Sequence, residues 1–169
     1  MLLVGGASRR FGSPKALARF ERETLAEIAW VALEFCEERI AVGKAADRLD
    51  LPFPVVDDGT EIRAPIAGVV AGLRAAKHDL CVILPVDMPT VGPQTLLELV
   101  AACIGDVAVP QTGPLPGAYR RTALRALEPA LERGTLSLRD AITDLDMTRV
   151  DVDPALLVNV NTPDDVAAL

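Results

Sequence analysis

The sequence predicts one α/β domain over residues 1–169: a three-layer α/β/α sandwich built on a mostly parallel sheet. Three observations carry that reading. The 169 residues suffice for one core and fall short of two ordinary domains. Half of them are apolar and only 4% are aromatic, so the core must rest on Val, Leu, Ile and Ala, the usual filling of a parallel sheet covered by helices. Strand-like and helix-like patterns then alternate for most of the length.

The elements follow in order. Met1-Leu2-Leu3-Val4 is a short apolar run ending at Gly5-Gly6, a buried strand entering a glycine turn. Apolar residues at helical spacing, from Leu25 to Cys36, predict a helix over about 24–36. Strands are expected at 40–42 and 53–56, the second ending at Asp57-Asp58-Gly59, and a helix over 66–76. Leu80-Cys81-Val82-Ile83-Leu84 is apolar throughout and reads as the central strand, ending in Pro85-Val86-Asp87-Met88-Pro89. A helix at 94–103, strands at 106–110 and 115–121, a helix at 122–132, a short helix at 137–144, a strand at 149–152 and a closing helix after Thr162 complete a Rossmann-like, doubly wound order. In such sheets ligands bind beyond the carboxyl ends of the strands. Gly5-Gly6, Asp57 and Asp87 all fall there.

Charge and cysteine usage exclude several classes. Seventeen basic against twenty-four acidic residues leave a net charge of −7, a poor basis for binding nucleic acid. Cys36, Cys81 and Cys103 contain no C-x-x-C pair and read as free core residues in a reducing cytoplasm. The single His78 cannot build a histidine metal site and reads as a surface residue. No apolar stretch is long enough to span a bilayer, and no signal peptide is expected before the first motif.

The chemistry concentrates between Gly5 and Lys15: Gly-Gly-Ala-Ser-Arg-Arg-Phe-Gly-Ser-Pro-Lys. Glycines let backbone N–H groups approach phosphate oxygens, and Arg9, Arg10 and Lys15 place three cations within seven residues of an acidic chain. A triphosphate needs that compensation. The spacing matches neither G-x-x-x-x-G-K-[ST] nor G-x-G-x-x-G, which argues against a P-loop hydrolase and a dinucleotide dehydrogenase.

L-x-G-G-x-S-x-R-x-G-x-x-K resembles the signature of the nucleoside-triphosphate transferase superfamily, which includes the molybdenum cofactor guanylyltransferases, the molybdopterin cytidylyltransferases and the sugar-nucleotide pyrophosphorylases. The resemblance implies a nucleotide-diphospho-sugar transferase-like fold. It places Leu3, Val4, Gly5, Gly6, Ser8, Arg9, Gly12 and Lys15 along the nucleotide, with Lys15 on triphosphate oxygens and Arg9 beside it in catalysis. Gly5-Gly6 resembles the guanylyl branch, where the cytidylyl branch carries Ala-Gly. Val4 stands where that family has Ala, and its bulk either crowds the base or packs into the sheet; the first strand is also short for the family.

Leu84-Pro85-Val86-Asp87-Met88-Pro89 resembles the family's L-P-x-D-x-P segment, which makes Asp87 the ligand of a catalytic Mg²⁺, a cation that takes one or two carboxylates plus substrate phosphates and water. Asp57 lies eight residues before Pro65, the family's spacing for an acidic nucleotide or ribose contact, with Asp58 as its competitor. Asn159 and Asn161 alternate with Val158 and Val160, so both amides share one side of an extended segment. They resemble the family's N-V-N-T-P motif, whose asparagines line the active site. Thr162, Pro163 and the following acids also make a helix start. Residues 115–121 and Ser137-Leu138-Arg139-Asp140 are weaker matches. The first is a candidate acceptor wall, Tyr119 reads as core, and Arg139 as a helix-surface charge.

The resemblance thus implies Mg²⁺-dependent transfer of GMP from GTP to the phosphate of molybdopterin, or of the molybdenum cofactor. A monomer is the default expectation, and no membrane partner is expected. Two alternatives stay open: a cytidylyltransferase or another guanylyltransferase of the same fold, and a non-catalytic GTP-binding protein that delivers cofactor to molybdoenzyme apoproteins or cofactor chaperones.

Overall fold

The computed structural model describes residues 1–5 and 14–168. The elements run β1 (Leu2–Leu3), β2 (Arg19–Phe20), β3 (Glu23–Thr24), α1 (Leu25–Ala32), β4 (Ala41–Gly43), β5 (Val55–Asp57), α2 (Pro65–Ala75), β6 (Leu80–Pro85), α3 (Pro93–Ala102), β7 (Val107–Pro110), β8 (Gly117–Arg120), α4 (Leu124–Glu132), α5 (Leu138–Ala141), β9 (Met147–Val150) and α6 (Pro163–Ala167). Seven strands form one sheet in the order β5-β4-β1-β6-β8-β7-β9, and β2 and β3 form a separate hairpin. Only β8 is antiparallel to its neighbours in the large sheet.

The layering follows from period-two alternation along the buried strands. Leu2, Ala41, Val82 and Leu84 pack with residues of α1, α3 and α6 on one face. Leu3, Val42, Ile83, Val107 and Val109 pack with α2, α4 and α5 on the other. These aliphatic strands are buried on both sides, as a helix-covered sheet requires. Leu73 and Leu84 are fully buried, and each such side chain contributes about 2 kcal/mol of transfer free energy. The expected sandwich with a mostly parallel sheet is the architecture observed.

Four details differ from the sequence reading. Helix α1 ends at Ala32 rather than near Cys36, because Leu33, Glu34 and Cys36 donate to carbonyls three residues back and tighten the chain into turns. Its start is fixed by a capping box between Thr24 and Glu27. The β2–β3 hairpin was not legible: its turn is Glu21-Arg22, with Glu21 at φ 54°, where Gly or Asn would signal such a turn. Strand β9 begins two residues earlier than the expected 149–152, because it pairs Met147 with Val107 at the sheet edge. Cys36 and Cys81 are half-buried rather than core; Cys103 is buried, and all three are free thiols.

Asp106, just before β7, ties that sheet edge to α4. It accepts from Thr122 Oγ1 at 2.6 Å, from Arg125 Nη1 and Nη2 at 2.7 and 2.5 Å, and from the Asp146 backbone N–H at 3.0 Å. The Arg125 guanidinium, helped by these other donors, holds its carboxyl down to about 2. A depressed folded-state value means stabilisation that is complete above the unfolded value near 4 and is lost as pH falls through about 2. Asp106→Asn is therefore expected to cost about 2 kcal/mol at neutral pH, at about 1.4 kcal/mol per unit. It should also flatten the acid limb of a urea-unfolding series. An unaltered limb below pH 4 would remove Asp106 from that role.

Candidate active site

β1 lies between β4 and β6, so the chain winds one way from it through β4 to β5 and the other way to β6. This reversal of winding opens a crevice beyond the strand ends. A cavity of about 620 Å³ occupies it, lined by Val4 and Gly5 after β1, Gly43 and Lys44 at the end of β4, and Val86 to Met88 after β6. The ladder extends past the strands: Val4 N–H donates to Val42 at 2.9 Å, and Val86 N–H to Leu3 at 3.0 Å. Val4 is buried in the core as well as lining the cavity. A Cβ added at Gly43 would stand 2.9 Å from Val4 Cγ2, so the glycine is what lets Val4 fit against β4. The bulk of Val4 is thus taken up in the sheet.

One side of the cavity gathers Lys15, Asp87 and Asn161. Lys15 begins a single 3₁₀ turn (Lys15–Leu17), and its Nζ donates to Asp87 Oδ2 at 3.2 Å and to Asn161 Oδ1 at 3.1 Å. These residues are 72 and 146 positions away in sequence. Asn161 is held from two directions. Val160 N–H donates to the Asp87 carbonyl at 2.8 Å, and Asn161 N–H donates to Asp165 Oδ2 at 2.6 Å within the capping box of α6. The Asn161 and Thr162 N–H groups hold the Asp165 carboxyl below its ordinary range against a smaller opposing effect of burial. Asn159 lines the cavity beside them. Val160 is fully buried while Val158 is 44% exposed, so only one of the two valines anchors the segment.

The Lys15–Asp87 pair is partly exposed, 15% and 30% by side chain. Such pairs contribute about 1 kcal/mol or less to stability. The donor set of one carboxylate and one amide oxygen is hard. Among the described residues no group of three or more His, Cys, Asp or Glu is placed to hold a metal. A hard cation that took this carboxylate and amide oxygen would complete its shell with phosphates and water, a pattern that suits Mg²⁺.

The facing wall comes from the segments after β4 and β5. Lys44 Nζ donates to Asp58 Oδ1 at 2.7 Å, to the Ile62 carbonyl at 2.7 Å and to the Thr60 carbonyl. Asp57 is turned away: its Oδ1 accepts from Ala45 N–H at 2.9 Å. Asp58, not Asp57, lines the cavity. Arg63 also lines it and makes a two-point pair with Asp47 at 2.7 and 3.2 Å, which raises the Arg63 guanidinium above its ordinary value. α2 begins at this wall with Pro65 in its first turn and no side-chain cap on Ala64; Ala64, Pro65 and Gly68 line the cavity, so the positive end of the helix lies beside it.

Thr112, Gly113, Pro114 and Leu115 close the far end with Arg139, whose Nη2 donates to the Thr112 carbonyl at 2.9 Å. Arg139 pairs with no carboxylate among the described residues; its side chain is exposed, as expected of a helix-surface charge, and it borders the cavity. Tyr119 is fully buried, as expected, and donates to the Pro114 carbonyl at 2.6 Å. Burial pushes its hydroxyl far up.

The fold thus brings Leu3, Val4, Gly5, Lys15, Asp87 and Asn159 to one cavity, with Asn161 bonded to Lys15 at its edge. Gly6, Ser8, Arg9, Arg10 and Gly12 lie outside the described residues. Lys44 and Arg63 were missed by sequence reasoning. The rule that placed Asp87, a polar residue just beyond a strand end, also marks Lys44 after Gly43.

A doubly wound sheet whose winding reversal carries Gly5, Lys15 and the strand-end Asp87 has the arrangement of a nucleotide-binding site. A family model described as the MobA-like NTP transferase domain matches residues 1–149, and the chain belongs to that family. A protein of Chloroflexus aggregans named "Probable molybdenum cofactor guanylyltransferase" is 32% identical, over 98% of this chain and 90% of its own length. One of Bacillus subtilis with the same name is 30% identical, over 100% and 92%. Among solved structures, molybdopterin-guanine dinucleotide biosynthesis protein A of Archaeoglobus fulgidus superposes with a TM-score of 0.79 at 28% identity, covering 99% of this chain and 94% of that one. The 2-C-methyl-D-erythritol 4-phosphate cytidylyltransferase of Thermus thermophilus, at 20% identity and a TM-score of 0.75 over 99% and 95%, shares the fold.

Proposed function

We propose that this chain, acting as one domain over residues 1–169, transfers the guanylyl group of GTP to the terminal phosphate of molybdopterin or its molybdenum-bearing form and releases pyrophosphate. The observation that carries the reading is the convergence of the Lys15 ammonium, the Asp87 carboxylate and the Asn161 amide beside the end of β1, in a chain of this family. An acceptor phosphate oxygen attacks the α-phosphorus, the bond to the β-phosphate oxygen breaks, and that oxygen leaves with the electron pair. The acceptor is already an anionic nucleophile, so catalysis reduces to positioning and charge neutralisation.

Lys15, with Arg10, which stands at the signature's arginine position beside the first-expected Arg9, and with the Gly5–Gly12 loop, neutralises charge gathering on the departing pyrophosphate. The uncapped start of α2 adds a favourable dipole toward the nucleotide. Asp87, with the Asn161 carbonyl oxygen beside it, would hold Mg²⁺, which when bound offsets negative charge at the α-phosphate. Asp58 takes the nucleoside-facing role first expected of Asp57, since it is the one that lines the cavity. Arg139, at the cavity rim and without a carboxylate partner among the described residues, would meet the acceptor phosphate. The reading sets the protein in the cytoplasm. No helix among the described residues is long and apolar enough to cross a membrane.

The deciding experiment is pyrophosphate release from GTP with molybdopterin present and absent, run in parallel with CTP. Molybdopterin-dependent release from GTP is expected. Release from CTP alone would reassign the nucleotide, and stoichiometric GTP binding without release would mean a carrier rather than an enzyme.

A further inference from the structure

Lys44 is a buried lysine, 8% exposed, on the wall that faces the Lys15–Asp87 side. Its ammonium has three protons and meets three acceptors: Asp58 Oδ1, the Thr60 carbonyl and the Ile62 carbonyl. Two further bonds close the same segment. Thr60 N–H donates to Asp58 Oδ1 at 3.2 Å, and Ile62 N–H to Thr60 Oγ1 at 3.1 Å. Residues 58–62 belong to no helix or strand, so this small shell around the ammonium is what shapes them. Remove the ammonium, and one carboxylate and two carbonyl oxygens converge with no donor between them, which drives the segment apart.

Stability alone is a poor explanation for such a pair. Burying a lysine and an aspartate costs desolvation comparable to their attraction, so the ion pair itself adds little net stability. What an apolar pair would not supply is the second Asp58 oxygen. Oδ1 is committed to Lys44 and Thr60, while Oδ2 makes no hydrogen bond among the described residues. Every buried side-chain polar atom among those residues has a partner, so Oδ2 is an open acceptor on a residue lining the cavity. A nucleoside offers it donors from the base edge or the ribose. No hydrogen bond links this shell to Lys15, Asp87 or Asn161 among the described contacts.

We propose that Lys44 is a positioning residue that holds residues 58–62 in shape before substrate arrives, so that Asp58 Oδ2 meets the hydrogen-bond donors of the bound nucleoside. The proposal rests on the nucleotidyltransferase reading and deepens it. Lys44 acts through Asp58 and touches no reacting atom, so it governs nucleotide affinity and discrimination rather than the rate of the bound complex.

Calorimetric titration with Mg²⁺ and GTP, ITP or 2′-deoxy-GTP, together with initial rates, tests this in wild type, Lys44→Met and Lys44→Gln. Lys44→Met is expected to weaken GTP binding and raise KM by roughly tenfold or more, with kcat changed by no more than about threefold. The wild-type penalty for ITP marks contact with the guanine amine, and that for 2′-deoxy-GTP marks contact with the ribose. Whichever is present should shrink in Lys44→Met. Lys44→Gln, whose amide keeps two donors, should fall between. Folded variants with wild-type affinity and discrimination, or a loss in kcat at constant KM, overturn the proposal. Amide hydrogen exchange on nucleotide-free wild type needs no variant to fold: Thr60 and Ile62 should be protected, and unprotected amides overturn the proposal as well. Wild type that prefers CTP defeats the guanylyl reading alone, since the same variants titrated with CTP still test Lys44. Wild type that binds none of these nucleotides defeats both.

Discussion

Asp87→Ala is expected to turn over at least about a hundredfold more slowly than wild type at saturating GTP and molybdopterin. The estimate comes from the charge it would hold: neutralising the α-phosphate through a bound cation is worth on the order of several kcal/mol, and each 1.4 kcal/mol is about tenfold in rate. Stability should be nearly untouched. Asp87 is part-exposed, and its pair with Lys15 contributes about 1 kcal/mol or less. Thermal unfolding near the wild-type temperature, together with the collapse in rate, therefore separates a chemical role from a structural one. The Mg²⁺ concentration for half-maximal rate should also rise, because a carboxylate that would hold the cation is gone. Near-normal turnover at the same Mg²⁺ concentration would remove Asp87 from the metal role.

That Asp87 was legible at all follows from topology. An apolar run long enough to be a central strand, followed at once by a carboxylate between prolines, puts the carboxylate at the sheet end where ligands collect. The same logic reached Gly5, and the paired asparagines were legible because neither amide is needed to start α6, whose cap is Thr162. Alternation along β1, β4 and β6 likewise made both faces of the sandwich readable.

The failures have equally local causes. Asp57 and Asp58 are adjacent, and in extended chain adjacent side chains point to opposite sides. Spacing to Pro65 favours Asp57, but only the register of β5 on β4, with Asp57 opposite Gly43, decides which carboxylate turns inward. Asp57 instead anchors Ala45 N–H. Lys44 carries no sequence signal of burial, because its three acceptors include two backbone carbonyls supplied by a loop without regular structure. Arg139 on the short helix α5 is exposed, as its place on a helix surface suggests; what the sequence does not encode is that residues 112–115 pack beside it and put it at the rim of the cavity. Each miss concerns what a side chain meets once distant segments come together, and the one-dimensional pattern does not encode that.

Lys15→Met should produce a loss of similar size to Asp87→Ala, with a different signature. Its ammonium bridges Asp87 and Asn161, segments that only the fold brings together, and it stands where triphosphate charge must be met. Removing it takes away a cation that acts on the bound triphosphate and more strongly on the departing pyrophosphate. Both a higher KM for GTP and a fall in kcat of at least about a hundredfold are expected. Lys15→Arg should recover little of this, since a planar fork does not replace a compact ammonium between two oxygen acceptors. Mg²⁺ dependence separates the two residues. Lys15 competes with a cation for the Asp87 carboxylate, so its removal should leave the half-maximal Mg²⁺ concentration unchanged or lower, whereas Asp87→Ala should raise it. The double variant should lose far less than the product of the two single losses, because both act on one charge distribution. Fully multiplicative losses would mean that Lys15 and Asp87 work at separate points of the site.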